Sequence, residues 1–373
     1  MGSQADSFLR LAERQGLDMA AAGSNFVFSP LSIRAGLSLA AIGSKGETLE
    51  QMLSFLGSHT VADLNSAAVR LLSSVSGGSD GDGATYGPRL SFANGIWVEQ
   101  SLELKPAFQE AATSVYSAVA KSADFQNRAG EVRIEVNDWV KKKTDGLVEN
   151  LIPEAGVHDS TRLLIANALC FKGLWSSPFD SFRTINEEFH LLNGSTIRVP
   201  FMRSGEDQFI SSYDGFKVLK LPYEGSFEDW RRFSMLIFLP HKKDGLNELT
   251  NKFVSDPNFI NRHIPRSRVE VGKFWIPKFK ISFGFEASAV LKGLGLESPS
   301  SVRHEASIEV DEEGTLAAAA TEIEIMMGCC LSKSLDRVPM DFQADHPFVF
   351  VIREEVTGSL LFFGHVVDPS FVD

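Results

Sequence analysis

The spacing of apolar and polar residues divides the chain into a first part written at helical period and a later part written mainly at strand period. Phe8, Leu11, Ala12 and Gln15 suggest an opening amphipathic helix, and residues 25–28 a short strand. Ser29-Pro30 then reads as an N-cap with proline at the first helical position, and Ile33, Leu37, Ala40 and Ala41 carry that helix to Gly43. Residues 47–56 repeat the device, with Leu49, Met52, Leu53 and Leu56 on one face and Gly57 after the end. A Gly- and Asp-rich loop fills 77–83, followed by a predicted strand at 90–98 and a helix at 105–115. Val132, Val136, Trp139 and Val140 mark another helix. Lys141-Lys142-Lys143 falls at its C-terminal end, where the helix dipole favours cations, and reads as a solvated end rather than an anion site.

Residues 162–171 form a nearly continuous apolar run with Asn167 at its centre, the pattern of a strand buried on both faces. An asparagine buried there must find partners or cost about 1–3 kcal/mol. Further strands are predicted at 216–221, 233–239, 273–283, 348–352 and 360–363, with Thr357-Gly358 turning the last hairpin and a short helix at 285–291. No composition break or internal repeat divides the chain, so residues 1–373 read as one α+β domain, helices first and antiparallel sheet later.

One stretch fits this scheme poorly. From Thr315 the chain alternates small or β-branched residues (Thr315, Ala317, Ala319, Thr321, Ile323, Ile325) with a second set that turns charged (Leu316, Ala318, Ala320, Glu322, Glu324, Met326). That is a strand with one buried and one wet face. Its four-alanine run is poor strand material, and the polar Gly328-Cys329-Cys330-Leu331-Ser332 that follows offers no partner strand.

Composition narrows the classes. The 373 residues are 43% hydrophobic and include 29 Phe, ample for a large core. A net charge of −12 argues against nucleic acid or an anionic membrane as partner. The N-terminus lacks an apolar run after a basic start, so a secretory signal is not expected, and no unbroken apolar stretch is long enough to span a membrane. Three cysteines, Cys170, Cys329 and Cys330, write no disulfide framework, and the default setting is cytoplasmic or nucleocytoplasmic. The eight histidines show no metal-ligand spacing, and GxSxG, Walker and GxGxxG patterns are absent; neither an enzyme nor a metal or other cofactor is expected.

Motifs in order along nearly the whole chain nevertheless point to a family. They include 25–33 (NFVFSPLSI), Gly46-Glu47-Thr48, 136–140 (VNDWV) with Thr144-Asp145-Gly146, 169–175 (LCFKGLW), 274–279 (FWIPKF), 309–315 (EVDEEGT), 344–348 (ADHPF) and 358–369 (GSLLFFGHVVDP). The chain resembles a serpin, and its C-terminal part looks most like the plant serpins. The resemblance implies a fold of three β-sheets with eight or nine helices and an exposed reactive-centre loop, here about 312–340. It implies an inhibitor of serine or papain-like cysteine proteases acting as a suicide substrate. The protease forms an acyl-enzyme with the loop, and the cleaved loop enters the largest sheet as a new strand. The alternative is a non-inhibitory serpin-fold protein with a storage, chaperone or binding role.

The same resemblance assigns a hinge at Glu312, Glu313, Gly314, Thr315, Ala317, Ala318, Ala319 and Ala320. It also assigns a polar shutter at Ser29, Ser32, Asn167 and His304, residues that would otherwise read as a capping serine and satisfied core groups. The small residues on the alternating stretch favour entry into a sheet; Leu316 departs mildly from the family's usual Glu. Counting about seventeen residues from Glu312, the family's usual interval, puts the scissile bond at Gly328–Cys329, with Met327, Cys330 and Leu331 as alternatives because this segment is a few residues longer than in basic-centre relatives. No Arg lies in that window, so the expected partner is a chymotrypsin-, elastase- or papain-like protease in preference to a trypsin-like one. A monomer is expected, with the extracellular space reached only by non-conventional release.

Overall fold

The computed structural model describes residues 16, 18–73, 87–225, 230–286, 301–315 and 338–370. Three sheets and a set of helices make up this α+β fold, with seven α-helices from Pro30 onward and one 3-10 turn among the described residues. The six-stranded sheet runs in the order Phe279–Glu286, Ser301–Val310, Gly314–Thr315, Leu163–Leu174, Arg89–Glu99, Val119–Ala123. A seven-stranded sheet contains Phe348–Glu354 and Leu360–Val366 beside Phe233–Pro240, and a four-stranded sheet contains Val271–Pro277 and Thr196–Arg203.

The two faces of the Leu163–Leu174 strand explain its continuous apolar run. Leu169 and Phe171 pack with Ala306 and Ile308 against Met235, Ile237 and Phe350 of the seven-stranded sheet. Leu164, Ala166, Ala168 and Cys170 lie on the other face beneath the helix Phe125–Lys143, against Val132, Val136 and Val140. Trp97 and Trp139 meet edge to face at 5.1 Å and fasten that helix to the sheet. Cys170 is buried there, and burial pushes its thiol up to about 12, so it is an inert core residue.

The N-cap at Ser29 forms as the sequence indicates: its side chain accepts from the Ser32 amide, and Pro30 opens the helix Pro30–Gly43. The device is not repeated at the next helix, Gly46–Phe55, whose N-cap Lys45 makes no side-chain cap bond. Two further expectations are corrected. The predicted strand at 273–283 is two strands, Val271–Pro277 in the four-stranded sheet and Phe279–Glu286 in the six-stranded one. The chain changes sheets at Pro277-Lys278 while remaining extended, so its apolar pattern never breaks. The predicted helix at 285–291 begins in strand, since Phe285 and Glu286 pair with His304 and Arg303, and its remainder lies outside the described residues. Strands Ile185–His190, Thr196–Arg203 and Gln208–Tyr213 and helices Val61–Ser73 and Leu246–Ser255 carry too few buried positions or too little punctuation to stand out in the sequence.

Candidate functional site

The seam between two strands of the six-stranded sheet is the candidate site. Leu163–Leu174 and Ser301–Val310 run parallel and pair directly, from Ser301 opposite Leu164 to Ser307 opposite Cys170. Beyond Ser307 the chain reverses and Gly314–Thr315 enters between the same two strands, antiparallel to both. Gly314 lies opposite Leu174, and Thr315 lies opposite Gly173 on one side and Val310 on the other. Among the described residues the seam is therefore a closed parallel pair with Gly314 and Thr315 wedged in its mouth.

Local chemistry fixes the reversal. The Asp311 carboxylate accepts from the amides of Glu313 at 2.9 Å and Gly314 at 3.0 Å, and the Asp311 amide donates to the Gly314 carbonyl. A Cβ on residue 314 would stand 2.1 Å from the Gly173 carbonyl oxygen, so only glycine fits there. Glu312 is clamped by Lys278 Nζ at 2.8 Å and Thr184 Oγ1 at 2.7 Å. Burial pushes the Glu312 carboxyl up, but the hydrogen bonds from Lys278 and Thr184 outweigh it and hold the group below its ordinary range. Trp175 closes the top: its indole donates to the Asp311 carbonyl at 2.9 Å and its amide to the Glu313 carbonyl at 2.8 Å. Tyr223 stacks on Trp175 and shares a 2.7 Å hydrogen bond with Thr315.

Lower in the seam, the four residues assigned to the shutter meet. The Ser29 amide donates to His304 Nε2 at 3.2 Å, so Nδ1 carries the imidazole proton and turns it toward Asn167 Oδ1 at 3.4 Å. Ser32 Oγ donates to the same Asn167 oxygen. Asn167 Nδ2 donates to Asn94 Oδ1, and Asn94 Nδ2 to the Tyr116 carbonyl, continuing the chain of bonds across the neighbouring strand. Sequence reasoning missed Asn94, although a polar residue inside the apolar 90–98 run was a signal of the same kind as Asn167. It missed Tyr223, for which the sequence carries no signal. Of the assigned hinge, Glu312, Glu313, Gly314 and Thr315 lie at the mouth of the seam. Ala317, Ala318, Ala319, Ala320, the bond at Gly328–Cys329 and its alternatives Met327, Cys330 and Leu331 lie outside the described residues.

Burial lowers the His304 imidazole to about 3. A histidine in the unfolded chain titrates near 6.5, so the stability tied to neutral His304 is complete above that pH and is lost as pH falls toward 3. Between pH 7.5 and 4.5 the loss is about 2–3 kcal/mol. Glu305 next to it is pushed up to about 7 by burial and acts with the opposite sign, its contribution fading as pH rises through that value. Melting temperatures of the wild type and His304→Gln across this interval separate the two: the wild type should fall more steeply toward pH 4.5, and equal slopes would remove His304 from the account.

A family model described as serpin (serine protease inhibitor) matches residues 9–369. Serpin-Z7 of Hordeum vulgare is 44% identical over 384 residues, covering 97% of this chain and 94% of that protein. Serpin-ZX of Arabidopsis thaliana is 46% identical over 368 residues, covering 93% and 92%. The solved structure of Arabidopsis AtSerpin1 in its native stressed conformation superimposes with a TM-score of 0.86 at 42% identity, covering 100% of this chain and 99% of that one.

Proposed function

The chain belongs to the serpin family, and on that premise we propose that it inhibits serine or papain-like cysteine proteases as a suicide substrate. The observation that carries the proposal is the wedge of Gly314 and Thr315 at the mouth of a closed parallel pair. Antiparallel entry of a longer segment replaces one parallel pairing by two antiparallel ones, which are the more stable kind per residue. Continuing the register of Gly314 and Thr315 one residue at a time sets Ala317 against Phe171 and Ile308, Ala319 against Leu169 and Ala306, and Thr321 against Asn167 and His304. Those positions face the core between the two large sheets, where the alternating stretch supplies only alanine and threonine. Glu322 and Glu324 fall on the opposite face. The sequence is thus patterned for a strand in this seam.

Before the cut, Met327, Cys329 or Leu331 suits an apolar primary pocket, and a count from Glu312 places the cut at Gly328–Cys329. The test is incubation with chymotrypsin, elastase, papain and trypsin. An SDS-stable complex with one of the first three, and mass spectrometry of the released C-terminal peptide locating the cut between residues 327 and 332, is the expected result. Clean cleavage without complex by every protease returns the chain to a non-inhibitory role.

A further inference from the structure

We infer that Tyr223 is a positioning residue that latches the wedge in the seam, so that the sheet admits the protein's own loop first and foreign strands poorly. The inference rests on the insertion mechanism proposed above. Tyr223 stands just beyond the strand Phe216–Pro222 of the seven-stranded sheet and forms an isolated bridge with Trp175, outside the sheet that Thr315 enters. Its ring is held between Trp175, stacked at 4.6 Å and 18°, and Phe171, edge-on at 4.7 Å. That leaves the hydroxyl one direction to point, and it meets Thr315 Oγ1 at 2.7 Å with both side chains buried.

The placement is specific to Thr315. A one-residue shift of the entering strand brings Gly314 or Leu316 to the phenol, and neither side chain can bond to it. Thr315 and Tyr223 would then both be buried without their shared hydrogen bond, which costs more than making the bond gains. Gly173, directly opposite Thr315, leaves the approach open: a Cβ there would stand 2.9 Å from the Tyr223 ring and from Phe171. Phe171 and Gly173 of one sheet and Tyr223, just past a strand of the other, therefore form a pocket for one threonine. Since Thr315 keeps its place as the rest of the strand follows, the latch holds before cleavage and after it. Its effect is to keep the mouth of the seam occupied, and to start entry in the register that turns alanine and threonine inward.

Tyr223→Phe keeps the ring and its stacking and loses the hydroxyl; Thr315→Val keeps the shape and loses the same bond. Two readouts move in opposite directions if the latch exists. Uptake of an acetylated synthetic peptide of residues 315–325 by the intact protein, followed by native gel mobility, should quicken about fivefold in either variant, the factor carried by one ordinary hydrogen bond. The number of inhibitor molecules consumed per trapped chymotrypsin or papain should rise, because the protein's own loop starts insertion less well placed. The double variant should take up peptide no faster than either single one. A general loosening of the sheet would quicken both processes together, and that result, or additive single effects, or rates equal to the wild type, overturns the latch. A wild type that refuses the peptide overturns the insertion reading beneath it.

Discussion

Thr315→Arg is expected to turn the protein from an inhibitor into a substrate of the same protease. Thr315 is wholly buried between Gly173 and Val310, with its hydroxyl on Tyr223. A guanidinium placed there must replace one hydroxyl among the Tyr223 and Trp175 rings and the Phe171 edge. Burying an unpaired charge costs several kcal/mol, so the chain relieves it by withdrawing the wedge. Under the proposed mechanism the acyl-enzyme partitions between strand entry and hydrolysis. A barrier to entry raised by only about 1.4 kcal/mol slows it tenfold. The expected outcome is at least a tenfold rise, by order of magnitude, in inhibitor consumed per protease trapped, read as loss of the SDS-stable band and gain of cleaved chain. Undiminished complex formation by this variant would contradict insertion through the seam at Thr315.

Asn167→Ala should lower the stability of the intact protein more than any other single change in the polar cluster. Its oxygen accepts from Ser32 Oγ and His304 Nδ1, and its amide donates to Asn94. Removing the side chain leaves buried donors and an acceptor unsatisfied and opens a cavity between the sheet and the helix Pro30–Gly43, where Gly36 lies against Asn167. Together these cost about 3–5 kcal/mol, a fall in melting temperature of about 4–6 °C for a chain of this size. Asn94→Ala, which loses its bonds to Asn167 and the Tyr116 carbonyl, should fall less. Calorimetry of the two variants decides the order. A larger loss for Asn94→Ala would move the centre of the network to the neighbouring strand.

Much of this was legible in the sequence, and for a physical reason. The strand Leu163–Leu174 is apolar on both faces because two cores press on it, and its one polar side chain had to be satisfied, so Asn167 announced itself. The wedge announced itself by a pattern at odds with its surroundings: alternation at strand period with no sheet in sequence to join. Other parts left no trace. Tyr223 works through one hydroxyl brought to Thr315 by the packing of two sheets, at a separation of 92 residues. The pairing of Glu312 with Lys278 and Thr184 joins three segments distant in sequence, and each of these residues alone reads as ordinary surface. The crossing at Pro277-Lys278 was invisible because apolar alternation continues through a change of sheet. Sequence pattern reports the period and face of a strand well. Which strand it joins, and when, is a property of tertiary packing.

The central claim is that the intact seam is not the most stable arrangement of this chain, and thermal unfolding before and after a single cut in the loop tests it most directly. Entry of about ten residues paired on both sides, set against the parallel pairing given up, nets on the order of 10 kcal/mol from backbone hydrogen bonds alone. At roughly 1.3 °C for each kcal/mol in a chain of this size, the cleaved protein should melt about 13 °C above the intact one. A cleaved protein that melts at the same temperature, or lower, would show that no strand enters and that the wedge at Gly314–Thr315 is all the loop ever contributes to the sheet.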